Sequence, residues 1–129
     1  MSYLLDSDII IDFLYNKDPD KTLPKLIDED LYISVITKAE IYYGIAKSAN
    51  YKKRSQEFLD LVTLLRVSII SIDEPIIDKY VNLKVALEKK GQKLSDFDLL
   101  IAATALLKNL KLVTRNKRHF SRITGLNII

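Results

Sequence analysis

The chain has 129 residues, 48% of them hydrophobic and 29% charged, with no cysteine and a formal net charge of +3. That length suits one domain with one core, and the apolar share argues against disorder. Without cysteine there can be no disulfide, thiolate zinc site or cysteine nucleophile.

Residues 3–5 (Tyr-Leu-Leu) are predicted to form a short strand that ends at Asp6. No basic leader precedes it and an acid interrupts the apolar run, so no signal peptide is expected. Ser7 is read as the cap of a first helix burying Ile9, Ile10, Phe13 and Leu14, with Asp12 facing solvent. Pro19 and Pro24 punctuate a loop and a short second helix. Residues 31–34 read as a second strand, 37–46 as a helix with Ile41 and Ile45 one turn apart, and 51–65 as a longer helix with Phe58, Leu61, Val62 and Leu65 on one stripe. Residues 67–70 form a third strand.

Asp73 then caps a helix with Pro75 in its first turn, whose apolar side carries Ile76, Ile77, Tyr80, Leu83, Val85 and Leu87 until Gly91 stops it. Ser95 caps a helix to about Leu107, apolar nearly all round and therefore expected to be buried. The run from Leu99 to Leu107 is still far short of the roughly 20 residues of a membrane span, so a soluble, cytoplasmic protein is expected. Residues 112–114 make a fourth strand, 118–122 a helical turn, and 126–129 an edge strand. Strands alternating with helices point to an α/β fold, a parallel sheet with helices on both faces, in a single domain over 1–129.

Acids crowd the early part of the chain (Asp18, Asp20, Asp28, Glu29, Asp30). From Lys108 to the end there are six lysines and arginines and no acid: Lys108, Lys111, Arg115, Lys117, Arg118 and Arg122. A basic end fits a polyanionic partner, and it equally fits a solvated surface.

Open parallel sheets bind ligands beyond the carboxyl ends of their strands. Asp6 follows strand one, Glu40 lies in the first turn of the helix after strand two, Asn116 follows strand four, and Asp98 lies in the first turn of the buried helix. If that helix starts at the same sheet edge, these groups converge. Converging carboxylates repel, and a divalent cation relieves the repulsion; oxygen ligands without sulfur or paired histidines favour Mg²⁺ or Mn²⁺ over zinc. Each residue also has a structural reading. Thr37 to Glu40 and Ser95 to Asp98 both fit capping-box spacing, and Asp6 is well placed as a loop acid beside a helix N-terminus. Asp96 serves either a metal water or a cap, and Asp8 reads as a support to Asp6. The lone histidine, His119, reads as a surface or RNA contact. Tyr42, Tyr43 and Tyr51 read as core or dimer contacts. No nucleophile elbow, P-loop or dinucleotide fingerprint is present.

The segment Leu5-Asp6-Ser7-Asp8-Ile9-Ile10-Ile11-Asp12 resembles the opening motif of PIN-domain ribonuclease toxins of the VapBC toxin–antitoxin family, in which Thr and Asn commonly stand where Ser7 and Asp8 do. Thr37 to Gly44 resembles the second motif of that family, Ser95 to Ala105 the third, and Leu112 to Phe120 with Ile123 to Leu126 the fourth and the usual ending. The resemblance covers essentially the whole chain. It implies a PIN-like three-layer α/β/α fold around a mostly parallel sheet of four to five strands. It implies Mg²⁺ or Mn²⁺ held by Asp6, Asp98 and Glu40, with Asp96, Asn116, Ser7 and Thr114 as auxiliaries. RNA would be cut by water attack on a phosphodiester, with Arg115, Lys117 and Arg118 along the RNA backbone. It also implies a homodimer and a VapB-like antitoxin, whose C-terminal segment lies along the toxin. The dimer surface is expected in the region of residues 42–65. His119 stands where an acid is common and Asn116 is neutral, which leaves the fourth acidic position open. The alternatives are a DNA nuclease of the same fold, a module that binds nucleic acid or a partner without cutting, and a metal-dependent phosphatase.

Overall fold

A computed structural model describes residues 1–15, 17 and 21–129; Asp18, Pro19 and Asp20 lie outside the described residues. Four strands, β1 (Ser2–Leu5), β2 (Asp30–Ser34), β3 (Ser68–Ile70) and β4 (Lys111–Val113), form one sheet in the order β3-β2-β1-β4, and every pairing is parallel. The expected edge strand over 126–129 is reduced to a single parallel bridge, Leu112 to Ile128, closed by Leu112 N–H on the Asn127 carbonyl and Ile129 N–H on the Leu112 carbonyl.

Side chains alternate across this sheet with the period of two that strands impose. Tyr3 and Leu5 enter one core with Leu31, Ile33 and Val113, while Leu4 and Leu112 enter the other. The chain builds outward from β1 through β2 to β3, then returns to place β4 on the opposite side of β1. Reversing that direction moves the connecting helices to the other face. Thus α1 (Ser7–Leu14), α2 (Val35–Lys47) and α3 (Tyr51–Leu64) cover the first core, and α4 (Glu74–Lys89), α5 (Asp96–Lys108) and α6 (Lys117–Phe120) the second.

The helix ends follow their local chemistry. Asp73 Oδ1 accepts from Ile76 N–H at 3.1 Å and starts α4. Gly91, at φ +68°, ends it, with Gln92 N–H on the Leu87 carbonyl at 2.9 Å; the left-handed turn there suits a residue without Cβ. Helix α5 is buried as expected: Ile101, Ala102 and Ala103 are fully enclosed, and the hydroxyl of buried Thr104 is satisfied by the Leu100 carbonyl at 2.8 Å.

Three expectations are corrected. Phe13 is 37% exposed, because Ile9, Ile10 and Leu14 already fill the contact between α1 and the sheet. In α4 only one row faces inward, Ile76 and Leu87 buried with Tyr80 and Leu83 beside them. Ile77 and Val85 join Val81 in a second row that is exposed, since the spacing i, i+4, i+8 winds away from α5. The core half of the reading for Tyr42, Tyr43 and Tyr51 falls, since all three are exposed, and the dimer-contact half stays open. No helix among the described residues is long and apolar enough to cross a membrane.

Candidate active site

The reversal of strand order between β1 and β4 opens a crevice beyond their carboxyl ends, the place where such sheets hold ligands. Asp6 stands in it. Its N–H donates to the Val113 carbonyl at 2.9 Å, extending the β1–β4 ladder one residue past the strand. Its extended backbone makes it, rather than Ser7, the cap of α1: Oδ1 accepts from Ser7 N–H at 2.8 Å. Oδ2 accepts from the buried Thr114 hydroxyl at 2.8 Å. The residue is only 6% exposed. Burial, and next the charge of Asp8, raise its pKa to about 7 despite the hydrogen bonds from Thr114 and Ser7.

Glu40 reaches the same crevice from α2. That helix is capped by Ser34, whose Oγ accepts from Ile36 N–H at 3.0 Å, so Thr37 is already inside the helix and the capping-box reading of Glu40 falls. Glu40 lies in the second turn, with Oε1 buried and unpartnered among the described residues. Its pKa is raised by burial and then by the charge of Asp98, against a hydrogen bond from the Ser7 side chain. Asp98 is held in the first turn of α5, where its N–H donates to the Ser95 hydroxyl at 3.2 Å. Its charge is felt by both Asp6 and Glu40, so α5 does begin at this edge.

Asp96 is directed elsewhere. Its Oδ1 accepts from the Tyr80 hydroxyl at 2.7 Å and from Lys84 Nζ at 2.8 Å, binding α5 to α4. Those hydrogen bonds, Lys84 first, hold its pKa below the ordinary carboxylate value and raise that of Lys84 in return. Asn116 is turned from the acids as well: Nδ2 donates to His119 Nδ1 at 2.9 Å, while its N–H donates to Thr114 Oγ1 at 3.0 Å. Lys117, Arg118 and His119 are exposed on α6 at the rim.

Sequence reasoning underrated α1. Asp8 Oδ2 accepts from Arg115 N–H at 3.2 Å and lies 3.3 Å from Thr114 Oγ1, while Oδ1 is buried without a partner among the described residues. Asp12, expected in solvent, pairs with the Arg115 guanidinium, expected to face RNA. Asp8 and Asp12 share a helix face at i,i+4 spacing, which was legible; their partner stands 107 positions beyond Asp8 and was not. The carboxylates feel one another's charge, yet among the described residues no three His, Cys, Asp or Glu side chains already sit close enough to hold an ion. Like charges without an ion repel.

The fold and site define a parallel α/β protein with an acidic crevice at its strand-order reversal. The PIN domain family matches residues 3–126, and the chain belongs to that family. It is similar to "Ribonuclease VapC2" of Rickettsia felis, 37% identical over 98% of this chain and 95% of that protein. Among solved structures it resembles VapBC2 from Rickettsia felis bound to a DNA fragment from its promoter, with TM-score 0.90, 30% identity and coverage of 100% of this chain and 98% of that one. It also resembles VapBC-1 from nontypeable Haemophilus influenzae, with TM-score 0.87, 32% identity and coverage of 100% and 97%.

Proposed function

We propose that this chain is a Mg²⁺- or Mn²⁺-dependent endoribonuclease, the toxin of a type II toxin–antitoxin pair, that cuts structured RNA such as tRNA or ribosomal RNA. The observation that carries the reading is Asp6, buried, raised to about 7, and flanked by the charges of Asp8 and Asp98. A folded protein tolerates such a cluster for a return in function, because unpaired buried charge destabilises it. The donor set fits a hard cation: all oxygen, with Glu40 Oε1 buried and without a partner among the described residues.

Asp6, Asp98 and Glu40 would hold the ion, which supplies a Lewis acid that activates water and neutralises phosphate charge. Thr114 and Ser7 orient the carboxylates through the bonds at Asp6 Oδ2 and at Glu40. Glu40 Oε1 would accept a hydrogen bond from the attacking water. Lys117 and Arg118 supply exposed cations for the RNA backbone, which gives affinity with little sequence choice. Arg115 acts through Asp12, holding the turn after β4 against α1. Water attack leaves a 5′-phosphate and a 3′-hydroxyl.

The names of the relatives support the ribonuclease reading, and the VapBC complexes among the structural neighbours support a VapB-like antitoxin as partner. Exposed apolar groups offer surfaces for that partner and for a homodimer: Tyr42, Tyr43, Leu59 and Leu64 on α2 and α3, and Ile77, Val81 and Val85 on α4. The deciding experiment incubates wild type and Asp98→Asn with tRNA and ribosomal RNA, in Mg²⁺, Mn²⁺ or EDTA, and maps the product ends. Discrete cuts by wild type alone, requiring metal and leaving 5′-phosphates, are expected. Cleavage unchanged by EDTA and by Asp98→Asn would sink the metal mechanism. Cutting confined to DNA would favour the DNA nuclease, and salt-sensitive RNA binding without any cleavage the binding module.

A further inference from the structure

The carboxylates of the crevice arrive from three directions: Asp6 from the end of β1, Glu40 from α2 and Asp98 from α5. The β4 side has none of its own, since no acid occurs from Lys108 to the end of the chain. The side chain of Asn116, which follows β4, is turned to His119.

Asp8 covers that side. Its Oδ2 accepts from Arg115 N–H at 3.2 Å and lies 3.3 Å from Thr114 Oγ1, so its carboxylate sits over the turn that leaves β4. The turn is held there by the pair between Arg115 and Asp12, one helical turn further along α1. The same Thr114 hydroxyl donates to Asp6 Oδ2 at 2.8 Å, so one side chain joins the two carboxylates. Anchoring the turn requires only one oxygen, and Oδ2 does it. The other oxygen, Oδ1, is buried with no partner among the described residues. A neutral Asn would anchor the turn equally well without burying a charge beside Asp6.

We propose that Asp8 is the fourth carboxylate of the ion site, supplied from α1 across to the β4 edge, with Oδ1 as the atom that faces the ion or one of its waters. The proposal rests on the metal-dependent reading above. It makes the neutral Asn116 a consequence of geometry: the acid for this edge comes from α1 instead of from the residues after β4.

The test is calorimetric titration of Mn²⁺ into this protein without RNA, comparing wild type, Asp8→Asn, Asp96→Asn, and Asp8→Asn combined with Asn116→Asp. Asp8→Asn should weaken Mn²⁺ binding by about tenfold or more. Adding Asn116→Asp should restore most of that loss, because it returns a carboxylate to the same edge. Asp96→Asn removes a charge from the first turn of α5 that is already paired with Lys84, and should change affinity by less than about threefold. A melting curve checks folding. If Asp8→Asn fails to fold, Asp8→Glu serves in its place, keeping the charge while displacing the carboxylate, and should also lose affinity. Mn²⁺ binding equal to wild type in the variant that folds overturns the proposal and leaves Asp8 as an anchor for the turn. Equal losses in Asp8→Asn and Asp96→Asn also overturn it, in favour of a diffuse charge effect. Absence of Mn²⁺ binding by wild type would instead bring down the metal-dependent reading itself.

Discussion

Asp96 and Asp98 stand two residues apart in the first turn of α5, and they belong to two different regions of the molecule. Asp96 lies in the seam between α4 and α5, where the Tyr80 hydroxyl and the Lys84 ammonium satisfy it and lower its pKa. Asp98 lies at the strand-end crevice, where its charge helps to raise the pKa of Asp6 and of Glu40. In the seam, Asp96 has an opposite partner in Lys84 and the result is a structural clasp. In the crevice, burial and repulsion act on Asp6, Asp8 and Glu40 with few compensating cations. An acid whose needs are met holds the fold together; an acid whose needs are unmet marks the place where a ligand is wanted.

The widest separation between the two regions should appear in catalysis. Asp98→Asn is expected to reduce RNA cleavage by at least about a hundredfold, measured as single-turnover rate, with the melting temperature retained. Retained cleavage would break the distinction at its strongest point.

Stability without metal should move the opposite way. The folded-state pKa of Asp6 is raised, so its contribution to stability is fully present below the unfolded value of 3.8 and is lost as pH rises through about 7. Asp6→Asn removes this loss. It should stabilise the metal-free protein at about pH 8 by roughly 2–4 kcal/mol relative to wild type and flatten the slope between about pH 4 and 8, read by urea unfolding across pH. Asp8 and Glu40 are raised too, so a smaller slope of the same sign should remain. A variant less stable than wild type at about pH 8 would show that Asp6 serves the fold first.

Thr114→Val tests the support beneath Asp6. It removes the donor to Oδ2 and the acceptor for Asn116 N–H while keeping the buried volume. About tenfold lower activity and about 1–2 kcal/mol lower stability are expected, from rate and unfolding measurements on one preparation. The smallest effect belongs to the seam. Asp96→Asn should leave cleavage within about twofold of wild type, because exposed ion pairs contribute little. A large loss of cleavage there would return Asp96 to the site.

Much of this was legible in the chain. Alternating β and α patterns gave the class of sheet, and the placement of Asp6, Glu40 and Asp98 after strands or at helix starts gave the acidic crevice. Local chemistry set the caps at Asp73 and Ser95 and the stop at Gly91. What misled was also local. Thr37 and Glu40 have capping-box spacing, yet Ser34 takes the cap one turn earlier, because the strand ends there and its hydroxyl reaches Ile36 N–H first. The apolar residues of α4 were assigned to one face, but only the row that meets α5 is enclosed.

Residue order by itself determined the succession of elements, their ends, and the types of group available to the crevice, since these depend on neighbours within a turn or two of the chain. Only the tertiary structure decided which acids are satisfied. Whether Asp96 meets Lys84, Asp12 meets Arg115, or Asp8 keeps an oxygen without a partner among the described residues depends on contacts between separate segments of the chain. The strand order β3-β2-β1-β4 creates those contacts by bringing the end of β4 beside the start of α1. Charge chemistry is set by what surrounds a group in space, and the strand-order reversal decides those surroundings here.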